Sequence, residues 1–109
     1  MVSESKANFK KKVWEWAEKL EVSVEFITLR SMRNKWASCS STGRLTFDSS
    51  LLELPPHLQD YAIVHELLHL QIPNHGRLWQ CLMEAHLGDY QSYEKELKEI
   101  VRDRMKSKN

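Results

Sequence analysis

The sequence predicts an α+β domain: helices toward both ends and a small, mostly antiparallel sheet packed on one central helix. Three observations carry this. Apolar residues recur at helical spacing near each end of the chain. Between residues 22 and 48 short β-rich runs alternate in polarity and are broken by turn residues. Residues 56–71 are apolar on nearly all sides, as a buried central helix is. The 109 residues are enough for one domain with one core, and residues 1–109 are taken as that domain.

Met1–Ala7 is polar and expected to fray. Asn8 is placed to cap a first helix whose apolar face is Phe9, Val13, Ala17 and Leu20, with Trp16 beside it. Lys10, Lys11 and Lys12 fall mostly on the opposite face and read as solvated rather than phosphate-binding. Val22–Leu29 alternates, with Val22, Val24, Phe26 and Thr28 on the side expected to be buried. Lys35–Ser40 and Arg44–Asp48 read as two further strands, joined by a hairpin loop at Ser41-Thr42-Gly43. Arg30, Arg33 and Lys35 cluster before the second strand and read as surface charge.

Leu51–Leu54 is expected to make a short helical turn that Pro55 stops. Pro56 suits the first position of the central helix, which runs to Gln71. Gly76–Leu87 reads as another helix with Leu78, Trp79, Leu82, Met83 and Ala85 inward, and with His86 as an end residue near the Gly88 stop. Asp89 is placed to cap a last helix with Tyr93, Leu97, Ile100 and Val101 on its face and a Glu94–Lys98 ion pair. Tyr90 and Tyr93 read as core residues ahead of oxyanion donors.

Composition narrows the function classes. A net charge of +1 leaves no strong electrostatic footprint for DNA or for anionic membrane, so no membrane partner is expected and nucleic acid stays an open question. No run approaches the ~18 apolar residues of a membrane span. The lysine-rich start lacks the apolar stretch of a secretory signal, so a cytoplasmic monomer is the expectation. Cys39 and Cys81 are isolated and read as packed, reduced thiols rather than a disulfide framework or zinc ligands.

The chemistry concentrates at His65-Glu66-Leu67-Leu68-His69. Histidines four apart on a helix lie about 40° from each other and roughly 6 Å along the axis, so both imidazoles can meet one ion. Glu66 sits beside the pair, where a carboxylate reaches a water on the metal without ligating. The H-E-x-x-H pattern therefore reads as a zinc site with glutamate as general base. Reading the pair instead as a buried, hydrogen-bonded His pair leaves Glu66 unexplained among Val64, Leu67 and Leu68, because an unpaired buried glutamate costs on the order of several kcal/mol. Catalytic zinc usually takes three protein ligands. His75 is the first candidate for the third: Pro73 should end the helix, and a turn at Ile72-Pro73-Asn74 can fold His75 back over the pair. Glu84 on the next helix is the rival. The histidine spacing is that of metzincins, but Ile72 stands at their glycine and Met83 follows too closely for their Met-turn.

The chain resembles the YgjP-like, or SprT-related, zinc metallopeptidase domains. The resemblance rests on Arg33-Asn34-Lys35-Trp36-Ala37-Ser38-Cys39-Ser40, on Leu45-Thr46-Phe47-Asp48 with Leu51 and Pro55, on Tyr61 through Leu70, and on Asn74-His75-Gly76-Arg77-Leu78-Trp79; together it spans roughly residues 30–95. It implies a minimal zincin-like fold, Zn2+ held by His65, His69 and His75, and Glu66 as catalytic acid and base. Ala37, Asp48 and Leu78 stand where the family usually has Gly, Asn and Phe; Ala37 and Asp48 border the expected sheet and so bear on substrate fit more than on zinc. An N-terminal sheet extension of longer members is expected to be missing.

The expected function is zinc-dependent peptide hydrolysis, with a peptide or protein substrate laid along a sheet edge near Trp36–Ser40. Two other readings stand beside it. One is a non-catalytic zinc-binding module, recruited to protein–DNA complexes as SprT-related proteins are. The other is a metal-dependent hydrolase of a non-peptide amide. Either terminal segment, Met1–Ala7 or Met105–Asn109, is a candidate for a stretch that lies across the cleft and keeps it latent.

Overall fold

The first helix, α1, runs over Val2–Leu20 and buries Phe9, Val13 and Ala17. The computed structural model describes residues 2–106 except Arg33, Asn34 and Pro73, and side chains only within residues 5–103. The expected bend at Pro73, the Arg33 member of the basic cluster, Met1 and residues 107–109 therefore lie outside the described residues.

Two expectations about the start of the chain are corrected. Asn8 is not a cap, because the helix already begins at Val2. Once nucleated by its apolar face, a helix gains one hydrogen bond per added residue, and Ser5-Lys6-Ala7 holds no glycine or proline to stop it. Lys12 is not on a solvated face: its ammonium lies 3.1 Å from Asp60 and 3.1 Å from Gln59 of the central helix. Trp16 donates its indole N–H to the same Asp60 at 3.0 Å.

Helix α1 ends in a Schellman arrangement. The Val22 N–H reaches the Ala17 carbonyl at 2.9 Å, the Glu21 N–H reaches the Glu18 carbonyl at 3.2 Å, and Glu21 takes a φ of 57°. Buried Val22 packs as the apolar partner of this cap, so it belongs to the helix stop and not to a strand. That moves the first strand. β1 is Phe26–Arg30 rather than Val22–Leu29, and its inward residues are Ile27 and Leu29, while Phe26 stays 56% exposed. A strand's side chains alternate with period 2, so a frame set one residue over inverts every assignment.

β2 is Ala37–Cys39 and β3 is Arg44–Asp48. The turn between them places Gly43 at φ 94°, and an added Cβ there would meet the Glu25 nitrogen and the Ser23 oxygen at 3.2 Å. The sheet order is β1-β3-β2: β2 pairs β3 antiparallel, and β1 pairs β3 in parallel. The sheet is thus mixed and not mostly antiparallel. The physical reason is that β3 lies between β1 and β2, so the two strands next to each other in sequence do not pair. Buried Asp48, at the end of β3, accepts the Met32 N–H at 2.9 Å and the Ser50 hydroxyl.

A 3-10 turn over Ser49–Glu53 leads through Pro55 to the central helix α2, Pro56–Gln71. Leu58, Tyr61, Ala62, Ile63, Val64, Leu67 and Leu68 of α2 are essentially inaccessible. α2 touches α1, β2, the 3-10 turn and both later helices, α3 (Arg77–Leu87) and α4 (Tyr90–Lys106). Such burial contributes about 1.5–3 kcal/mol per large apolar side chain. In α3 only Trp79 and Met83 are fully buried, with Leu82 partly so; Leu78 is 61% exposed and Ala85 faces solvent, against expectation. A short helix at the edge of the body buries one narrow stripe, here residues four apart. α4 starts as expected, with Asp89 accepting the Ser92 N–H at 3.4 Å. No helix of the described residues is long and apolar enough to cross a membrane.

Candidate metal centre

His65 and His69 sit one turn apart on α2, which buries its other faces and so leaves this one to carry polar groups. The helix stops at Gln71, where Ile72 turns to extended geometry with its N–H on the Leu68 carbonyl at 2.7 Å. Asn74 then makes an Asx turn, its side-chain oxygen accepting the Gly76 N–H at 2.9 Å. The next helix clamps His75 from the other side: Gln80 donates its side-chain amide to the His75 carbonyl at 2.9 Å. These local bonds aim His75 back at α2.

The result is a cluster in which one ligand atom each from His65, His69 and His75 lies within 4.8 Å of the others. His69 and His75 turn Nε2 toward Nε2 at 2.5 Å. His65 engages Glu66 through Nδ1 at 2.9 Å, which leaves its Nε2 unpartnered among the described residues. Glu84 is not in the cluster. It lines a separate surface cavity on α3 with Arg77, Cys81 and Tyr90. The downstream carboxylate that acts on His75 is Glu94 of α4, which accepts the Tyr61 hydroxyl at 3.1 Å.

Aromatic rings wall the cluster. Trp79, four residues after His75, stands 4.3 Å from that ring and 5.9 Å from His69, stacked on the latter. Its buried indole N–H has no hydrogen-bond partner among the described residues. Trp36, just before β2, meets His65 edge-on at 5.0 Å, and Tyr61 lies 5.6 Å from His65. Glu66 is only 6% exposed. The thiol of half-buried Cys39, at the end of β2, lies within reach of its charge. Burial and the Glu66 charge push that thiol up to about 11, so it remains protonated at neutral pH.

Sequence reasoning treated Tyr61, Trp79 and Cys39 as packing alone. The available signal was position: Tyr61 lies one turn before His65, and Cys39 belongs to the W-x-S-C-S run. Tyr90 is buried against Trp79 at 5.9 Å, and Tyr93 lies 5.1 Å from His57, so neither points at the cluster. His86 sits near the end of α3, its ring 6.1 Å from Trp16. Cys81 is exposed rather than packed.

The donor set fits a borderline divalent cation, which favours neutral imidazoles. His69 and His75 are both held below the ordinary 6.5, first by desolvation at the cluster and then by the neighbouring His65. Lowered folded values mean that the unfolded chain binds protons which the folded chain refuses. The stability these two contribute is therefore complete above about pH 6.5 and declines as pH drops through that value toward the lowered ones. Urea unfolding of metal-free protein should show a flat midpoint down to about pH 6.5 and a fall below it; a midpoint unchanged down to about pH 5 would contradict this electrostatic account.

The YgjP-like metallopeptidase domain model matches residues 1–100. No curated protein matches the chain. Among solved structures, the fold is similar to the crystal structure of the metallopeptidase zymogen of Methanocaldococcus jannaschii jannalysin. The two share 29% identity with a TM-score of 0.71 over 86% of this chain and 95% of that one.

Proposed function

The chain belongs to the YgjP-like metallopeptidase family, and from that premise we propose that it hydrolyses peptide bonds with Zn2+ held by His65, His69 and His75 and with Glu66 as general base and acid. The observation that carries this reading is the convergence of three imidazoles within 4.8 Å beside a buried carboxylate on the same helix. When bound there, zinc supplies a Lewis acid that acidifies a water and polarises the scissile carbonyl. Glu66 would take a proton from the attacking water and deliver it to the leaving amine. The His65 Nδ1–H orients the carboxylate for both transfers. Trp36, Tyr61 and Trp79 pack around the histidines and exclude bulk water from their backs.

The substrate follows from the sheet edge. The Asp48 N–H bonds the Trp36 carbonyl, and the Ser40 N–H bonds the Arg44 carbonyl. Residues 36, 38 and 40 therefore turn their backbone groups toward β3, and Ala37 and Cys39 turn theirs to the open edge. An extended peptide adds there as a further strand, next to the His65 ring. Ala37→Pro removes one of those edge donors without touching the β3 ladder. It should raise KM about tenfold with kcat little changed, which corresponds to the loss of about one hydrogen bond. An unaltered KM on peptide substrates would remove β2 as the docking edge.

Metal removal tests the function as a whole. Protein stripped by a chelator should cleave unfolded casein at background rate and recover with about one equivalent of zinc. Undiminished cleavage by the stripped protein would refute metal chemistry. A zinc-loaded protein inert toward a broad peptide library would instead favour a zinc-bearing binding module, and turnover of small amides alone would favour a non-peptide hydrolase.

A further inference from the structure

We infer that Trp79 is a positioning residue for the third ligand: its indole, packed against the His75 ring, fixes how that imidazole is turned toward the ion. The inference rests on the zinc site of the reading above. A ligand histidine is usually held by a hydrogen bond from its second ring nitrogen to a carboxylate, a carbonyl or water. His75 has no such anchor. Among the described residues the one hydrogen bond to its ring is the Nε2 contact with His69, which joins two proposed ligands and is lost once both face an ion. The Asn74 turn and the Gln80 amide fix the backbone around His75 and leave its ring untouched. His75 is also exposed, and an imidazole turns about a broad torsion, so neither burial nor rotamer preference sets its plane.

Trp79 supplies the missing restraint. Its ring centre lies 4.3 Å from that of His75 with 38° between the planes, and 5.9 Å from that of His69 with 27° between them. It meets His65 edge-on at 5.2 Å, so one side chain faces all three imidazoles. Trp79 is itself fixed: it is 3% exposed, and Tyr90 of α4 backs it edge-on at 5.9 Å. The orphaned indole N–H supports the same role. A buried donor without an acceptor costs a fold stability, and a leucine or phenylalanine would fill the apolar stripe of α3 without that cost. What the indole adds over leucine is a wide flat face, and that face lies against the imidazoles.

The contact and its consequence are tested separately. In metal-free protein the His75 ring protons, assigned by their loss in His75→Gln, should resonate upfield of the ordinary imidazole range under the ring current of the indole. A parent without that shift overturns the contact, whatever the variants at Trp79 do. Zinc affinity, read by competition with a chromophoric chelator, should fall about 10–100-fold in Trp79→Leu and stay within about threefold of the parent in Trp79→Phe, which keeps a flat face. The visible absorption bands of cobalt-substituted protein should change shape in the leucine variant and hold in the phenylalanine one. Trp79→Met takes the place of leucine if that variant does not fold. Equal losses in the aliphatic and aromatic variants, or no loss in either, would reduce Trp79 to packing and overturn the inference alone. A parent that binds neither zinc nor cobalt would overturn the metal reading itself, and this inference with it.

Discussion

Glu66→Gln is expected to lower peptide hydrolysis by about 10²–10⁴-fold while leaving the bound metal in place. The substitution is nearly isosteric and keeps a carbonyl oxygen to accept from the His65 Nδ1–H, so that contact survives. What it removes is the buried carboxylate beside the histidines that would take a proton from an attacking water. The three imidazoles are not part of that change, so zinc content by atomic emission should match the parent. Casein cleavage measured beside zinc content gives the result directly. A variant that holds zinc and cleaves like its parent would eliminate Glu66 as the base. A variant that loses zinc would show that the carboxylate supports the ligands more than the chemistry.

His75→Ala should take the protein from about one bound zinc to a small fraction of that at micromolar metal, and activity should fall with it. Two histidines from one helix turn leave a cation with too few protein donors, and the third imidazole is held in place by the Asn74 turn and by Gln80. Glu84→Ala, by contrast, should leave zinc content and turnover near those of the parent, because Glu84 faces a separate cavity with Arg77 and Cys81. Equilibrium dialysis against zinc for both variants distinguishes the two donors. Zinc retained by His75→Ala and lost by Glu84→Ala would reverse the assignment and require α3 to turn over on metal binding.

Much of this was readable from residue order. The bounds of α2 followed from Pro56 at its start and from Pro73 beyond its end, and β3 followed from its short alternating run between turn residues. The histidine pair was legible because helical spacing alone sets two side chains four apart on one face. The first strand was not, because Val22 serves equally well as a strand residue and as the apolar end of a helix cap. Only the positive φ at Glu21 and the bond to Ala17 decide between them. The inward face of α3 was read too broadly for a similar reason: periodicity ranks the apolar positions but does not say how wide a stripe the neighbours cover, and Leu78 ends in solvent.

Local sequence by itself determined the central helix, its two histidines and the glutamate between them, since each depends on spacing within a few residues of one regular element. The tertiary structure alone decided which distant groups meet that glutamate and those histidines. Cys39 comes within reach of the Glu66 charge from a strand, the Tyr61–Glu94 bond ties α4 to α2, Trp79 closes the back, and β1 lies in parallel beside β3. Such contacts join residues far apart in the chain. They are set by how elements pack and cross, for which residue spacing carries no signal.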